Sequence, residues 1–346
     1  MQMKTFLLFI TLTFGLFSFG QTGGTNAFGL LDLSYSARSV GLAGDFISVI
    51  DNDINMGIAN PSLLNDEMQK DISFSTSFLS GRINYGTLAY GFGTKKLGTV
   101  AGYIKYVSYG KMTRRNEAGI AEGTFSPIEM IIGGSVGKRI NKRLSVGANL
   151  NILYSQLENY SSVGASVDFA GTFYNEDKDF LVTVLAKNIG YQFKAYNQKN
   201  RALLPVEVQM ASSYKLKHAP FRFTLLAHHL TNWDITYSNP NDKPTKDPLT
   251  GEFVPVETAE FFEKFAQHLT YQLEVLVSKN IDLRLGFDYH RRKELALTER
   301  PGLAGFAFGL GLEFNKFSLD YGFTIYSRAG FNNMITLSTD LGKWKK

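Results

Sequence analysis

"VGASVDFAGTF", residues Val163 to Phe173, decides the fold class. Val163, Ala165, Val167, Phe169 and Phe173 fall on one face of an extended chain; Gly164, Ser166, Asp168 and Thr172 fall on the other. Successive side chains of a strand point to opposite faces, so this alternation describes a strand with one apolar and one polar side. "IDLRLGFDYH" repeats it, with Ile281, Leu283, Leu285, Phe287 and Tyr289 opposite Asp282, Arg284, Gly286, Asp288 and His290. In "FSLDYGFTI", Phe317, Leu319, Tyr321, Phe323 and Ile325 oppose Asp320 and Thr324. About fourteen such segments follow one another, beginning near Lys70, Ile83, Leu97, Ile128, Lys142, Tyr160, Phe180, Pro205, Phe221, His268, Ile281, Leu303, Lys316 and Asn333. Most run ten to twelve residues. That exceeds the usual strand of ~5–6 and approaches the ~9–11 that cross a bilayer at a tilt.

The connections sort by length. Every even-numbered link is a few residues, from "TKK" and "RIN" to Asn315, whereas most odd-numbered links are long. Long and short links therefore lie at opposite ends of the strands, the asymmetry of an outer-membrane barrel. In such a barrel the apolar face meets lipid and the polar face lines the lumen. The inward set would comprise Asn149, Asn151, Asp168, Glu207, Gln209, Glu274, Asp282, Arg284, Asp288, Glu313 and Asp320. These are poor residues for a dry core, because an unpaired buried charge is costly, but they suit a wet or polar-plugged lumen. The alternative, a soluble two-sheet sandwich hiding its Phe and Leu, explains neither strand length nor loop sorting.

Composition agrees. The 346 residues hold 28 Phe, 17 Tyr, 33 Gly and only 9 Pro, a mix that favours strands and tight turns. The net charge of +5 is modest and unclustered, which argues against a nucleic-acid partner. The absence of cysteine excludes disulfides, a thiol nucleophile and thiolate metal sites. Lys4, the apolar run Phe6 to Phe19 and the small residues Ser18 and Gly20 read as a signal peptide over residues 1–20. Residues 21–66 lack alternation and form a distinct head; residues 67–346 form the barrel.

The head contains "SARSVGLAGDFISVIDNDINMGIANPSLLN", Ser36 to Asn65. Gly41 and Gly44 give only G-x-x-G, with no parallel βαβ context and no P-loop Lys-Ser/Thr, so a phosphate cradle is not indicated. The segment reads instead as a small plug entering the lumen from the periplasmic end, with Arg38 placed to meet inward carboxylates. It resembles the N-terminal segment of the PorV/PorQ branch of FadL-like outer-membrane proteins, through Ala37, Arg38, Gly41, Gly44, Asp51, Asp53, Asn60 and Pro61. The "NPSLL" ending is closer to the PorQ side of that branch. The resemblance implies an all-β fold: a FadL-like, transmembrane antiparallel barrel of about 14 strands with a small N-terminal plug. It also implies an anchor in the attachment complex of the type IX secretion system of Bacteroidota. There a surface protein (PorZ-like), alongside PorU and PorV, would dock on the outer loops and pass cargo to lipopolysaccharide.

No residue pattern marks an enzyme, a metal centre or a cofactor. His228 and His229 are adjacent, and in a strand they would point to opposite faces. His268 and His290 begin and end strands. The long connection Thr231 to Gln267 is rich in proline and ends with Phe261, Phe262 and Phe265 at helical spacing. With Trp233, Tyr237 and Phe253 these aromatics form a candidate partner-binding loop, the bland reading being a lid over its own barrel. The loop Gly110 to Gly119, with Lys111, Arg114 and Arg115, is a candidate for lipopolysaccharide phosphates or a solvated basic loop. Uptake of a hydrophobic solute is the competing function. A polar inward face opposes it, while Gly305, Gly309 and Gly311 would leave space along one wall.

Overall fold

Fourteen strands close into one antiparallel barrel in the computed structural model, which describes residues 27–79, 82–197, 201–236, 245–246, 253–254, 259–296, 302–327 and 330–344. The expected leader at 1–20 and Tyr237 lie outside the described residues. The wall strands are β1 Asp71–Leu79, β2 Asn84–Thr94, β3 Gly98–Ser108, β6 Ile128–Arg139, β7 Leu144–Leu157, β8 Tyr160–Tyr174, β9 Phe180–Lys194, β10 Glu207–Lys215, β11 Phe221–Ala227, β14 Leu269–Val275, β15 Ile281–Asp288, β16 Phe306–Glu313, β17 Phe317–Ser327 and β18 Gly330–Asp340. The outer loops carry two hairpins, β4 Met112–Arg115 with β5 Ala121–Phe125, and β12 Thr245–Lys246 with β13 Phe253–Val254. Pairing of β1 with β18, from Asp71↔Asp340 to Leu79↔Asn332, closes the cylinder. Closure satisfies every ladder edge, which a hydrocarbon surround requires.

Alternation sets the two faces. In β8, Phe169 is 54% exposed and Phe173 45%, while Ser166, Asp168 and Thr172 are buried. Leu150, Ile152, Phe223 and Tyr271 extend the exposed apolar belt to other strands. A belt of this kind is stable in lipid and not in water. The barrel is built for a membrane, crossed by strands; among the described residues no helix is long and apolar enough to do so.

The wall is uneven. β8 and β9 run 15 residues each, whereas β11 and β14 have seven. The expected ten to twelve residues hold as an average and fail locally. The "IDLRLGFDYH" strand stops at Asp288, whose side chain accepts from Arg291 N and starts helix α4, Tyr289–Leu295. A carboxylate at the N-cap satisfies a helical N–H that a strand would have sent to its neighbour. Glu313, assigned to the lumen, has the inward parity but lies exposed at the short-turn end.

The plug fills the lumen with short capped turns. Helix α1, Ala37–Gly41, is capped by Ser36; α2, Ile54–Ala59, by Asp53. Asn60 and Asn65 cap the 3-10 turns at Pro61–Leu63 and Asp66–Met68. Side chains that hydrogen-bond nearby backbone N–H groups let a chain turn repeatedly without long helices. The remaining described α-helix, α3 at Phe261–Gln267, precedes β14 in the outer loops.

Candidate functional site

Arg38 pins the plug to the wall. Its Nε donates to Glu274 Oε1 at 2.8 Å and one Nη to Oε2 at 3.1 Å; the other Nη reaches Asp51 at 2.7 Å. Glu274, fully buried in β14, also receives Arg222 and lies 3.4 Å from Arg284 Nε. Arg284 in turn holds Asp282 and, at 2.6 Å, Asp320. The inward carboxylates expected to meet Arg38 thus include Glu274 directly, and Asp282 and Asp320 through a second guanidinium. Such a buried set persists only when its members are mutually paired.

The other head residues fall into place by contact. Ala37 N donates to Thr336 Oγ1 of β18 at 2.8 Å. Asp53 both caps α2 and lies 3.5 Å from Arg38. Asn60 donates to Ile47 O at 2.7 Å and to Thr172 of β8, while the Pro61 carbonyl lies against Gly137 and Gly147 of the wall. A side chain at Gly41 would strike the backbone of Gly309 at 2.8 Å. Gly44 has no such neighbour, so its glycine is not demanded by close packing.

The wall glycines correct one expectation. Gly309 leaves no passage, because the backbone of α1 occupies the room it vacates. At Gly311 the space belongs to Asp282 and Arg284, and Gly305 is a turn residue with φ of +87°.

Inside, the wall is two-faced. From β8 to β17 it presents Asp168, Lys187, Glu207, Gln209, Glu274 and Arg284. From β18 round to β7 it presents Tyr85, Ala101, Tyr103, Val107, Ile131, Leu153 and Met334, packed on plug residues including Phe28, Leu30, Tyr35 and Ile58. The polar inner face expected from sequence is therefore interrupted in that sector, where Asn149, Asn151 and Ser75 do point inward but share the wall with apolar side chains. Period-2 reading finds polar residues where they alternate, but both faces of β3 and β6 carry apolar side chains. Tyr109 continues the apolar strip to the rim, where it lines a cleft of about 290 Å³ with Met112, Phe125, Pro127, Leu157 and Tyr160. The plug hangs from this sector too: Leu30 N donates to Glu129 Oε2 at 3.1 Å, and Tyr109 Oη reaches the same oxygen.

Plug residues separate two aqueous recesses. The lower, about 740 Å³, opens among the short turns and ends at Arg38, Asp51 and Asp53. The upper, about 270 Å³, is an outer vestibule lined by Asp45, Lys187, Glu207, His228, His229 and His290 among others. Lys187 Nζ bridges Asp45 at 2.7 Å and Glu207 at 3.0 Å. Despite its burial, which acts the other way, Asp45 is held down at about 2 by this ammonium. Lys187 projects inward at a bulge, where two residues of β9 oppose Asp168 and Asn188 takes φ of +63°.

Here the histidine reading fails. β11 ends at Ala227, and His229 adopts φ of +55°, which turns its ring back beside that of His228. The two Nδ1 atoms stand 2.7 Å apart, and a Glu207 oxygen lies 3.7 Å from His229 Nδ1. Burial pushes the His228 imidazole down to about 4, against the pull of Asp288, so it is neutral at physiological pH. His268 behaves as expected of a strand start, its ring nitrogens facing the carbonyls of His228 and Trp233.

Of the loop aromatics, Trp233 packs on Phe261 with ring centroids 5.0 Å apart, and Phe261 on Phe262 at 5.5 Å. Phe262 is 78% exposed, so these three form an open cluster at the rim, and Phe265, on the same helix, is exposed as well. Phe253 sits in the β12–β13 hairpin. Lys264–Asp234 and Lys293–Glu263 ion pairs brace α3 against its own loop and α4. In the basic loop, Arg114 engages Glu158 at 2.5 Å and Arg115 the Gly119 carbonyl, leaving Lys111 exposed.

No protein-family model and no curated protein matches the chain. Solved structures do. The Pseudomonas putida toluene transporter TodX superposes with a TM-score of 0.52 at 10% identity, over 90% of this chain and 99% of that one. The Ralstonia pickettii toluene transporter TbuX gives the same TM-score, identity and coverage. At 10% identity the likeness is one of fold.

Proposed function

We propose that this chain is an outer-membrane conduit for small hydrophobic molecules, of the FadL type. The observation that carries the reading is the apolar strip from the rim cleft at Met112 and Phe125, through Tyr109 and Val107, to the apolar face of the plug. A strip of this kind offers a hydrophobic solute a surface to follow past the charged groups of the lumen. Support also comes from fold: the toluene transporters TodX and TbuX share it. A cleft of about 290 Å³ is at the small end of ligand sites and suits a monoaromatic or a short acyl segment. Because the strip is packed against the plug, transit requires the Phe28–Leu31 segment to yield. Titration of the detergent-purified protein with toluene and with a long-chain fatty acid tests the proposal. Saturable binding, weakened about tenfold or more by Met112→Asp because the bound hydrophobe would desolvate the new carboxylate, is the expected result.

The rim favours a second reading, an anchor for a surface protein. Trp233, Phe261 and Phe262 form an exposed aromatic cluster, with Phe265 exposed on the same helix, of the composition that dominates interfaces. The head's resemblance to the PorV/PorQ branch supports a PorZ-like partner, with PorU and PorV nearby and lipopolysaccharide near Lys111. Co-purification of a surface protein, lost on deleting residues 239–255 while the barrel stays in the membrane, would favour this reading. No saturable binding of either hydrophobe would remove the first.

A further inference from the structure

We infer that His228, His229 and Glu207, with His290 facing them across the outer vestibule, form a binding site for a borderline divalent metal ion such as Zn²⁺. The inference stands independently of what the barrel transports. Ligand atoms of Glu207, His228 and His229 all lie within 4.8 Å of one another. The ring centroids of the three histidines form a near-triangle, with sides of 4.9, 6.3 and 6.2 Å. Three imidazoles on one ion, each at ~2.0–2.1 Å, need nitrogens roughly 3.3 Å apart in tetrahedral geometry. The Nδ1 pair at 2.7 Å is already close to that spacing.

Independent observations point the same way. His228 is 7% exposed, so its ring is held in the wall of the recess and its Nδ1 is sheltered from bulk water. His290 Nδ1 contacts Gln267 Oε1 at 3.1 Å, the outer hydrogen bond that orients a ligating imidazole and leaves Nε2 for the ion. Lys187 and Gln209 likewise fix the Glu207 carboxylate. The recess carries five carboxylates against two cations, a field that favours a dication. His229 holds a backbone conformation that non-glycine residues adopt sparingly, and that conformation is what brings its ring to His228. Occupied, the site would clip three otherwise separate segments: the start of β10, the loop leaving β11, and α4.

The test uses the untagged full chain in detergent, stripped with a chelator and titrated with Zn²⁺ and with Co²⁺. Expected are saturation at about one equivalent and the intense visible bands of four-coordinate Co²⁺. His228→Ala combined with His229→Asn, which retains an αL-tolerant residue, should weaken binding at least ~100-fold. His218→Ala, at the opposite end of the barrel, should leave it unchanged. Heat-modifiable gel migration confirms that each variant is folded. Absence of one-equivalent binding, or binding that survives the double variant, overturns the site; unchanged affinity in His290→Gln overturns the third histidine's part in it.

Discussion

Three guanidinium groups, those of Arg38, Arg222 and Arg284, converge on the carboxylate of Glu274. Glu274→Gln leaves them facing one another with one fewer counter-charge, and removing one partner of a buried charged set costs about 3–5 kcal/mol. Arg38→Met should cost less, because Glu274 keeps two guanidiniums; urea midpoints in detergent micelles compare them. A milder effect with opposite sign belongs to Asp53. Burial, opposed by Arg38 and reinforced by Asp51 and Asp320, raises its carboxyl from 3.8 to about 6. The folded protein then binds this proton more tightly than the unfolded chain, so ionised Asp53 is a cost at pH 7 that shrinks as pH falls below about 6 and is gone near the ordinary value of 3.8. Asp53→Asn keeps the cap and removes the charge. The variant should be the more stable protein at neutral pH, with the margin closing as pH falls below about 6; an equal margin at both ends would refute the raised carboxyl. Single residues were legible in sequence only where chemistry left one choice. Arg38 beside inward carboxylates is such a case. The His228–His229 pair is not, because alternation assumes extended backbone and His229 departs from it at φ +55°.

At the scale of elements, α1 and the wall are cut to fit each other. A Cβ at Gly322 would sit 2.1 Å from the Ala37 carbonyl, and one at Gly286 would sit 2.2 Å from the Leu42 carbonyl carbon. Both contacts are with backbone, which cannot swing aside as a flexible side chain would. Gly322→Val is therefore expected to lift α1 from β16 and β17 without breaking the outer face of the barrel. The measurement is single-channel conductance in a planar bilayer: a rise over the parent protein, with the head segment newly sensitive to protease. Gly171→Ala, where nothing lies within 4 Å, is the control that should change neither. Strand identity was readable because lipid on one side and a polar lumen on the other impose period 2 on most of the wall. Strand ends were less readable. Asp288 fits the alternating pattern and an N-cap equally well, and only packing against the outer loops selects the helix. The apolar strip was hidden for a related reason: Val107 and Ile131 lie on strands whose outward residues are also apolar, so no contrast marks which side faces the plug.

For the molecule as a whole, the uneven wall sets its relation to the bilayer. Fifteen residues of β8 or β9 extend ~50 Å along the strand and seven of β11 or β14 only ~23 Å, at ~3.3 Å per residue. Tilted by ~40°, these rise ~38 and ~18 Å, against an apolar band of ~25 Å in an outer membrane. The tall side over-spans the membrane and the low side falls short of it. Above the low side stand α3 and its exposed Phe261, Phe262 and Phe265, directly continuous with β14. Aromatic side chains at this level would complete the belt that the short strands leave unfinished, since amphipathic and aromatic groups settle at the lipid–water boundary. Refolding into vesicles of short-chain lipid should accordingly be faster and more complete than into long-chain lipid, because mismatch costs accumulate with each ångström. Replacing Phe261, Phe262 and Phe265 together by Ser separates the two roles open to this cluster. If it completes the belt, the variant refolds normally in thin vesicles and loses yield in thick ones. If it docks a surface protein, yield is untouched at either thickness and the partner alone is lost.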